Sequence, residues 1–208
     1  MPFSTTKIAA ITFASLFSLS ALGQQDRAAE APKALPENEW NILAGVTSFD
    51  SDFADSLGVD DTGYLVGAAY TGYFSFLRYS AGGALIILDD KAEFTQRVEN
   101  VFGGDERDED SSIDAGMLFA EIGSQYAFGN NDRATVGMMA GYSYFDVERS
   151  ISLCQDCRED DIEVESSFYL KPFVAYRFTD SFLVRLEYTN YQEEQSFENA
   201  ITLNFSIL

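Results

Sequence analysis

The stretch Ser166 to Asn190, SSFYLKPFVAYRFTDSFLVRLEYTN, alternates with a period of two. Phe168, Leu170, Pro172, Val174, Tyr176 and Phe178 share one parity; Tyr169, Lys171, Phe173, Ala175 and Arg177 take the other. After Thr179-Asp180-Ser181 the pattern resumes, with Phe182, Val184, Leu186 and Tyr188 set against Leu183, Arg185, Glu187 and Thr189. Successive side chains of a strand point to opposite faces, so the stretch predicts two β-strands with one continuous apolar face and one mixed face. Residues that pair must share a face. The turn therefore predicts Phe178 opposite Phe182, Tyr176 opposite Val184 and Val174 opposite Leu186, around a three-residue loop. A strand pair standing in lipid needs this division, apolar outside with a polar, packed interior behind.

The rest of the chain narrows how it could cross a bilayer. Lys7 is the only charged residue before an apolar run from Ile8 to Leu22, and Ala21-Leu22-Gly23 supplies small residues for cleavage. Residues 1–23 are expected to be a secretory signal peptide. No later run reaches the ~18 apolar residues a spanning helix needs. A chain integral to a membrane must then close its strands into a barrel, which alone satisfies every backbone N–H and C=O without water. Residues 24–39 are polar with scattered Ala and Pro, and are expected to form a flexible periplasmic leader. Residues 40–208 form the barrel domain.

Strands follow in order, each with an outward apolar set. Trp40, Ile42, Ala44 and Val46 mark the first, and Tyr64, Val66, Ala68 and Tyr70 the second. Leu77, Tyr79, Ala81, Leu85 and Ile87 mark the third, after a tight turn near Gly72–Ser75. Leu118, Ala120, Ile122, Tyr126 and Phe128 mark the fourth, and Val136, Met138, Ala140, Tyr142 and Tyr144 the fifth. The hairpin above gives the sixth and seventh, and Ala200–Leu208 the eighth, with Ile201, Leu203, Phe205 and Ile207 outward. The connections alternate between short turns and long acidic stretches, Asp50–Asp61, Asp89–Ile113 and Asp146–Glu165, and a shorter loop, Gln192–Phe197, precedes the last strand. Short turns on one side and long loops on the other is the transmembrane-barrel asymmetry. The aromatics sort into two girdles: Tyr70, Tyr73, Tyr126, Phe128, Tyr176, Phe178 and Phe182 near the turns, and Phe49, Tyr64, Tyr142, Tyr144, Phe168 and Tyr188 near the loops.

Signal peptide, eight amphipathic strands, long acidic loops and a chain ending on a strand resemble the small, porin-like bacterial outer-membrane β-barrels of the OmpA/OmpX type. The resemblance is one of pattern and covers nearly all of residues 40–208. It implies an all-β, eight-stranded antiparallel up-and-down barrel in the bacterial outer membrane with extracellular loops. It also implies a monomer whose partners are outer-membrane lipid, lipopolysaccharide and the insertion machinery.

Charge and composition then exclude chemistries. There are 34 acidic residues against 13 basic ones, and no histidine at all. The acidity argues against nucleic acid as a partner. The missing histidine removes Ser-His hydrolytic chemistry and the commonest metal ligand, and the lipid-modifying barrels rely on histidine. No catalytic residue, cofactor or metal ligand is expected, and the chain reads as no enzyme. Glu121, Lys171, Arg177, Arg185 and Glu187 fall on the inward parity; in a lumen just wide enough for side chains they are expected to form a salt-bridge network. Cys154 and Cys157, in an exported loop, are expected to form a disulfide. The run Asp105–Asp110 lacks the order of a calcium loop, so the acidic connections are expected to stand extended in water with weak, unspecific cation association. Pro172, mid-strand, is expected to mark a bulge. The functional expectation is an envelope-structural or surface-interaction role through the acidic loops. The alternatives are a narrow channel for small, apolar solutes and, as a third class, a soluble lipocalin-like binder.

Overall fold

The structure, a computed structural model, describes residues 38–74, 77–91, 95–98, 107–129, 132–151, 159–192 and 197–207. Cys154, Cys157 and residues 1–37, with the expected signal peptide and most of the leader, lie outside the described residues.

Eight strands make the wall: β1 (Asn38–Phe49), β2 (Thr62–Phe74), β3 (Leu77–Ile87), β6 (Ser112–Phe128), β7 (Ala134–Ser150), β9 (Ser167–Thr179), β10 (Phe182–Tyr191) and β11 (Phe197–Ile207). Each pairs antiparallel with its neighbours in the order β6-β3-β2-β1-β11-β10-β9-β7, and pairing of β6 with β7 closes the ring. Closure leaves the spanning strands without an edge, so every ladder bond is internal, as lipid demands. Three short elements complete the fold: helix α1 (Ser51–Leu57), a separate hairpin of β4 (Thr95–Val98) and β5 (Arg107–Asp110), and β8 (Glu159–Ile162), which lies beside β7. Among the described residues no helix is long and apolar enough to cross a membrane.

Parity decides inside from outside along every strand. Trp40, Ile42, Val66, Leu85, Leu118, Ile122, Phe168, Val174, Leu186 and Leu203 are exposed on the outer wall, while Asn41, Leu65, Ile86, Phe119, Tyr169, Phe173, Arg185 and Asn204 are buried within. Two expected girdle residues break the list. Phe49 has the odd parity of Asn41 and Leu43, so it is buried in the lumen against Phe197, ring centroids 4.2 Å apart. Tyr73 lies opposite Arg78 on the inward parity of β2 and is only half-exposed. The remaining aromatics stay outward and pair at the turn side, as with Trp40–Tyr70 at 5.3 Å and Tyr176–Phe178 at 5.0 Å.

The hairpin of β9 and β10 corrects two expectations. Val184 lies opposite Tyr176 and Leu186 opposite Val174, but Phe182 lies opposite Thr179, with the register shifting before Leu183–Arg177. The loop is thus the two-residue Asp180-Ser181, and Phe178 is the extra residue of a β-bulge beside it. A bulge of this kind adds local twist at the end of a hairpin. The rings of Phe178 and Phe182 still meet, 6.1 Å apart. Pro172, by contrast, marks no bulge. Its pairing with Met138 of β7 is unbroken, while on the β10 side the ladder lapses between Glu187–Phe173 and Asn190–Leu170 and resumes in the same register. The missing N–H is met by a gap in one ladder rather than by an inserted residue.

Candidate functional site

Two parts of the molecule could carry function: the lumen and the loop-side structures above it. In the lumen, inward charges on five neighbouring and facing strands come within reach of one another. Lys171 Nζ lies 2.7 Å from Glu121 Oε2 and 3.4 Å from Glu187 Oε2. Glu187 also faces Arg185 Nη1 at 3.7 Å and Arg78 Nη2 at 3.9 Å, and Arg185 Nη2 reaches Glu39 Oε1 at 2.7 Å. Three cations meet three carboxylates, so this group is neutral as a whole. Neutral hydrogen bonds extend it. Tyr169 Oη donates to Glu121 at 2.9 Å and Thr202 Oγ1 to Glu187 at 3.4 Å. Asn41 Nδ2 donates to Thr71, whose hydroxyl donates to Ser80, while Ser206 donates to Asn41 Oδ1.

Aromatic faces cover the cations where carboxylates do not. Phe173 lies under the guanidinium carbons of both Arg78, at 4.9 Å, and Arg185, at 5.4 Å, and Lys171 sits 5.1 Å from the rings of Phe119 and Tyr169. Glycines make room for these rings. A Cβ on Gly141 would meet the Tyr169 ring at 2.4 Å, and one on Gly137 the Phe173 ring at 2.4 Å; both are cross-strand pairs. Between the charge group and the loop side, a void of about 20 Å³ is bounded by Ser143, Lys171, Glu187 and Tyr191. That is room for about one water molecule.

Of the five charges expected inside, the structure brings together Glu121, Lys171, Arg185 and Glu187. Arg177 is half-buried near the turn side and makes no ion pair among the described residues. Two members were missed by sequence reading, Glu39 and Arg78, which are fully buried. Glu39 was assigned to the leader, yet β1 begins at Asn38 and Glu39 shares the inward parity of Asn41. Arg78 sits between the outward residues Leu77 and Tyr79, so the same parity marks it as inward.

At the loop side the connection Asp50–Asp61 is not an extended, solvated loop. Asp50 caps α1, its carboxylate accepting from the Phe53 N–H at 3.0 Å, and Gly58 ends the helix in the left-handed conformation, φ 67°. This is the usual pairing of an acceptor at the start and glycine at the end. Ala54 and Val59 are fully buried in the apolar cluster of Leu65, Phe49, Phe145, Tyr191 and Phe197. Phe145 stacks on Phe197 at 4.1 Å. The segment is tied down by backbone bonds from Lys91 N to Gly58 O and from Asp60 N to Asp89 O, and by Arg149, which donates to Asp90 at 2.8 Å and to Leu57 O at 2.7 Å. Lys91 Nζ lies 2.5 Å from Asp60, a hydrogen bond that holds the ammonium above its usual pKa. Acidic composition hid this plug because its carboxylates face water while its few apolar residues face in. Replacing Asp50 with Ala should cost about 1 kcal/mol, the usual worth of an N-cap, and increase protease nicking within 50–61; unchanged nicking would mean that burial of Ala54 and Val59 alone holds the helix.

Beside the plug a sheet rises from the wall. The last rung between β7 and β9 is Ser143–Ser167, yet β6 and β7 stay paired from Leu118–Tyr144 up to Ser112–Ser150. Seven rungs at ~3.4 Å carry this ladder roughly 20 Å beyond. β8 joins it through Val147–Ile162 to Ser150–Glu159, replacing β9 after the break at 163–166. On the outer face Asp114 lies directly opposite Glu148, and Glu148 opposite Asp161. Asp146 and Glu163 are exposed nearby, and Arg149, on the inner face, is taken by Asp90. Cross-strand carboxylates in direct opposition repel one another.

The family comparison agrees with this architecture. The sequence family described as the outer membrane protein beta-barrel domain matches residues 11–207. No curated protein matches the chain. Among solved structures, Ail, the attachment invasion locus protein of Yersinia pestis, is 10% identical over 82% of this chain and 96% of its own, with a TM-score of 0.46. The backbone structure of Ail in a phospholipid bilayer nanodisc is 13% identical over 82% and 99%, TM-score 0.41. Neisserial surface protein A is 11% identical over 81% and 92%, TM-score 0.43. With the family matched over nearly its whole length and its eight strands closed into a ring, the chain belongs to the outer membrane protein β-barrel family and resides in the bacterial outer membrane.

Proposed function

We propose that this chain is a non-enzymatic surface-interaction protein: a sealed barrel that anchors the plug and the β6–β7–β8 sheet outside the cell. The observation that carries the reading is the sheet itself. Two strands continue well past the length that a membrane requires, about 9–11 residues against 17 in β6 and in β7. Along β8 no further strand is paired among the described residues, so alternate backbone N–H and C=O groups of Glu159–Ile162 face outward. An open strand edge beside Asp114, Glu148 and Asp161, which have no cation partner among the described residues, suits an extended, basic polypeptide segment that adds as a further strand. The alternative of a solute conduit is disfavoured, because the lumen is filled by its charge group and covered by α1.

The experiment compares a lysine-rich extended peptide with the same peptide N-methylated at alternate residues, titrated onto the folded barrel at 0.15 M salt. Strand addition predicts that N-methylation weakens binding at least tenfold, and that D114N/E148Q/D161N does the same. Equal binding of both peptides would reduce the sheet to a diffuse negative surface, and binding of neither would remove the partner class. In planar bilayers the same preparation should pass no current steps. Steady unitary conductance would overturn the sealed-anchor reading whatever the peptides do.

A further inference from the structure

The outer wall is not evenly covered. Where β6, β7 and β9 adjoin, the outward residues Ala120 and Ala140 floor a trough of about 640 Å³. Register gives the trough its sides. Ala140 lies between Ile122 and Leu170, and Ala120 lies between Tyr142 and Ala81, so the trough is open towards β3. The rings of Tyr142 and Phe168 meet edge to face at 4.8 Å and stand at its loop-side end. Behind the floor, Gly141 has no side chain and the Tyr169 ring covers it from the lumen, so the wall itself is thin here. Gln192 adds a polar group where β10 ends: its backbone N–H is bonded to Phe168 O, and its amide donates to Asn190 Oδ1 at 2.8 Å.

The trough is thus graded, with an alanine floor near mid-wall, an aromatic shoulder above it, and an amide at the loop end. It is continuous with the lipid-facing surface, so what fills it comes from the membrane. Its apolar-to-polar direction matches a lipid chain descending from the leaflet on the loop side, with a hydroxyl donating to the Gln192 amide oxygen, whose nitrogen is engaged by Asn190. In the outer membrane that leaflet is lipopolysaccharide. We infer that the trough seats one acyl chain of an outer-leaflet lipopolysaccharide molecule, fixed at its upper end by Gln192. The seat is independent of whatever the loops bind. A chain lying on Ala140 is flanked by Ile122 and Leu170 and stopped at the loop side by the Tyr142 and Phe168 rings, which slows its exchange relative to annular lipid.

The test uses the full chain folded in nanodiscs of lipopolysaccharide and phosphatidylethanolamine, released into the gas phase for native mass spectrometry. One lipopolysaccharide per barrel is expected to survive activation that strips all other lipid. Ala140→Phe fills the trough and should cut the retained fraction at least tenfold, and Ala120→Leu, a smaller filling, should act in the same direction. Ala44→Leu, an outward alanine of β1 away from the trough, should leave retention unchanged. Gln192→Ala should lower it two- to tenfold, the range of one neutral hydrogen bond of about 0.5–1.5 kcal/mol. Folding of each variant is read from its unboiled gel mobility, and Ala120→Leu serves if Ala140→Phe does not fold. Retention equal to wild type in both filled variants would overturn the seat. So would retention of phosphatidylethanolamine in place of lipopolysaccharide, or paired barrels without lipid, which would make the trough a contact between two copies.

Discussion

Glu187→Ala is expected to destabilise the folded barrel by about 3–5 kcal/mol, the range for removing one partner from a buried ion pair. The carboxylate is 4% exposed and lies within 4 Å of three cations: Lys171 at 3.4 Å, Arg185 at 3.7 Å and Arg78 at 3.9 Å. Their dependence on it differs. Lys171 keeps Glu121 and Arg185 keeps Glu39, whereas Arg78 has no other ion-pair partner among the described residues, and its Nε and Nη1 are already without hydrogen-bond partners. Most of the loss therefore falls on Arg78, a buried guanidinium left with the Phe173 ring alone. A urea titration of the protein folded into lipid vesicles should show the midpoint fall for Glu187→Ala. It should fall less for Glu187→Gln, which keeps an acceptor for Thr202. Arg177→Ala, outside the network, should stay within about 1 kcal/mol of wild type. A double variant, Glu187→Ala with Arg78→Met, should recover part of the loss, since the uncompensated charge goes with its partner. If Glu187→Ala is as mild as Arg177→Ala, water enters the lumen and screens these charges, and the sealed barrel is wrong.

How far the sequence foretold this arrangement depends on which physical constraint was at work. Alternation is imposed by the strand itself, so Tyr176 against Val184 and Val174 against Leu186 could be read directly, and so could the inward turn of Lys171, Arg185 and Glu187. The same rule, carried to Glu39 and Arg78, would have found both; Glu39 was lost by starting the first strand at Trp40. Parity also placed Phe49 inside, and only its nearness to a loop suggested a girdle. Arg177 shows where parity stops. It points inward, but it stands half-buried at the turn end, beyond the reach of the carboxylates of the lumen group. The bulge at Phe178 and the unshifted ladder at Pro172 depend on how two neighbouring strands share their hydrogen bonds, which one strand's sequence does not specify. The plug escaped for a different reason. Seven helical residues with five carboxylates between 50 and 61 give no usable apolar period, and the helix is held by long-range contacts with Phe49, Leu65 and Arg149.

The outer wall yields a second large effect. Leu186→Arg should cost roughly 2–4 kcal/mol, the range for arginine near the bilayer midplane on the lipid face of a barrel. Leu186 is half-way along β10, and its cross-strand neighbours Val174 and Leu203 are also apolar and exposed, so no carboxylate lies beside the new charge. Depth makes the prediction specific. Phe182→Arg and Tyr188→Arg, nearer the two girdles, should cost only about 0–1 kcal/mol, because a long side chain can reach the interface. The three variants together draw a profile with its maximum at Leu186. In water the same wall would give no such profile, since exposed substitutions rarely exceed about 0.5 kcal/mol. Measured by the same titration in vesicles, a flat profile would mean that β10 does not cross hydrocarbon at this register. A maximum displaced to Phe182 or Tyr188 would move the membrane along the barrel. It would also shift the depth of the trough of Ala120 and Ala140, because the Ala140–Leu170 rung lies four residues towards the loops from Val174 and Leu186 on the same wall. The profile therefore fixes the depth at which any bound lipid chain must lie.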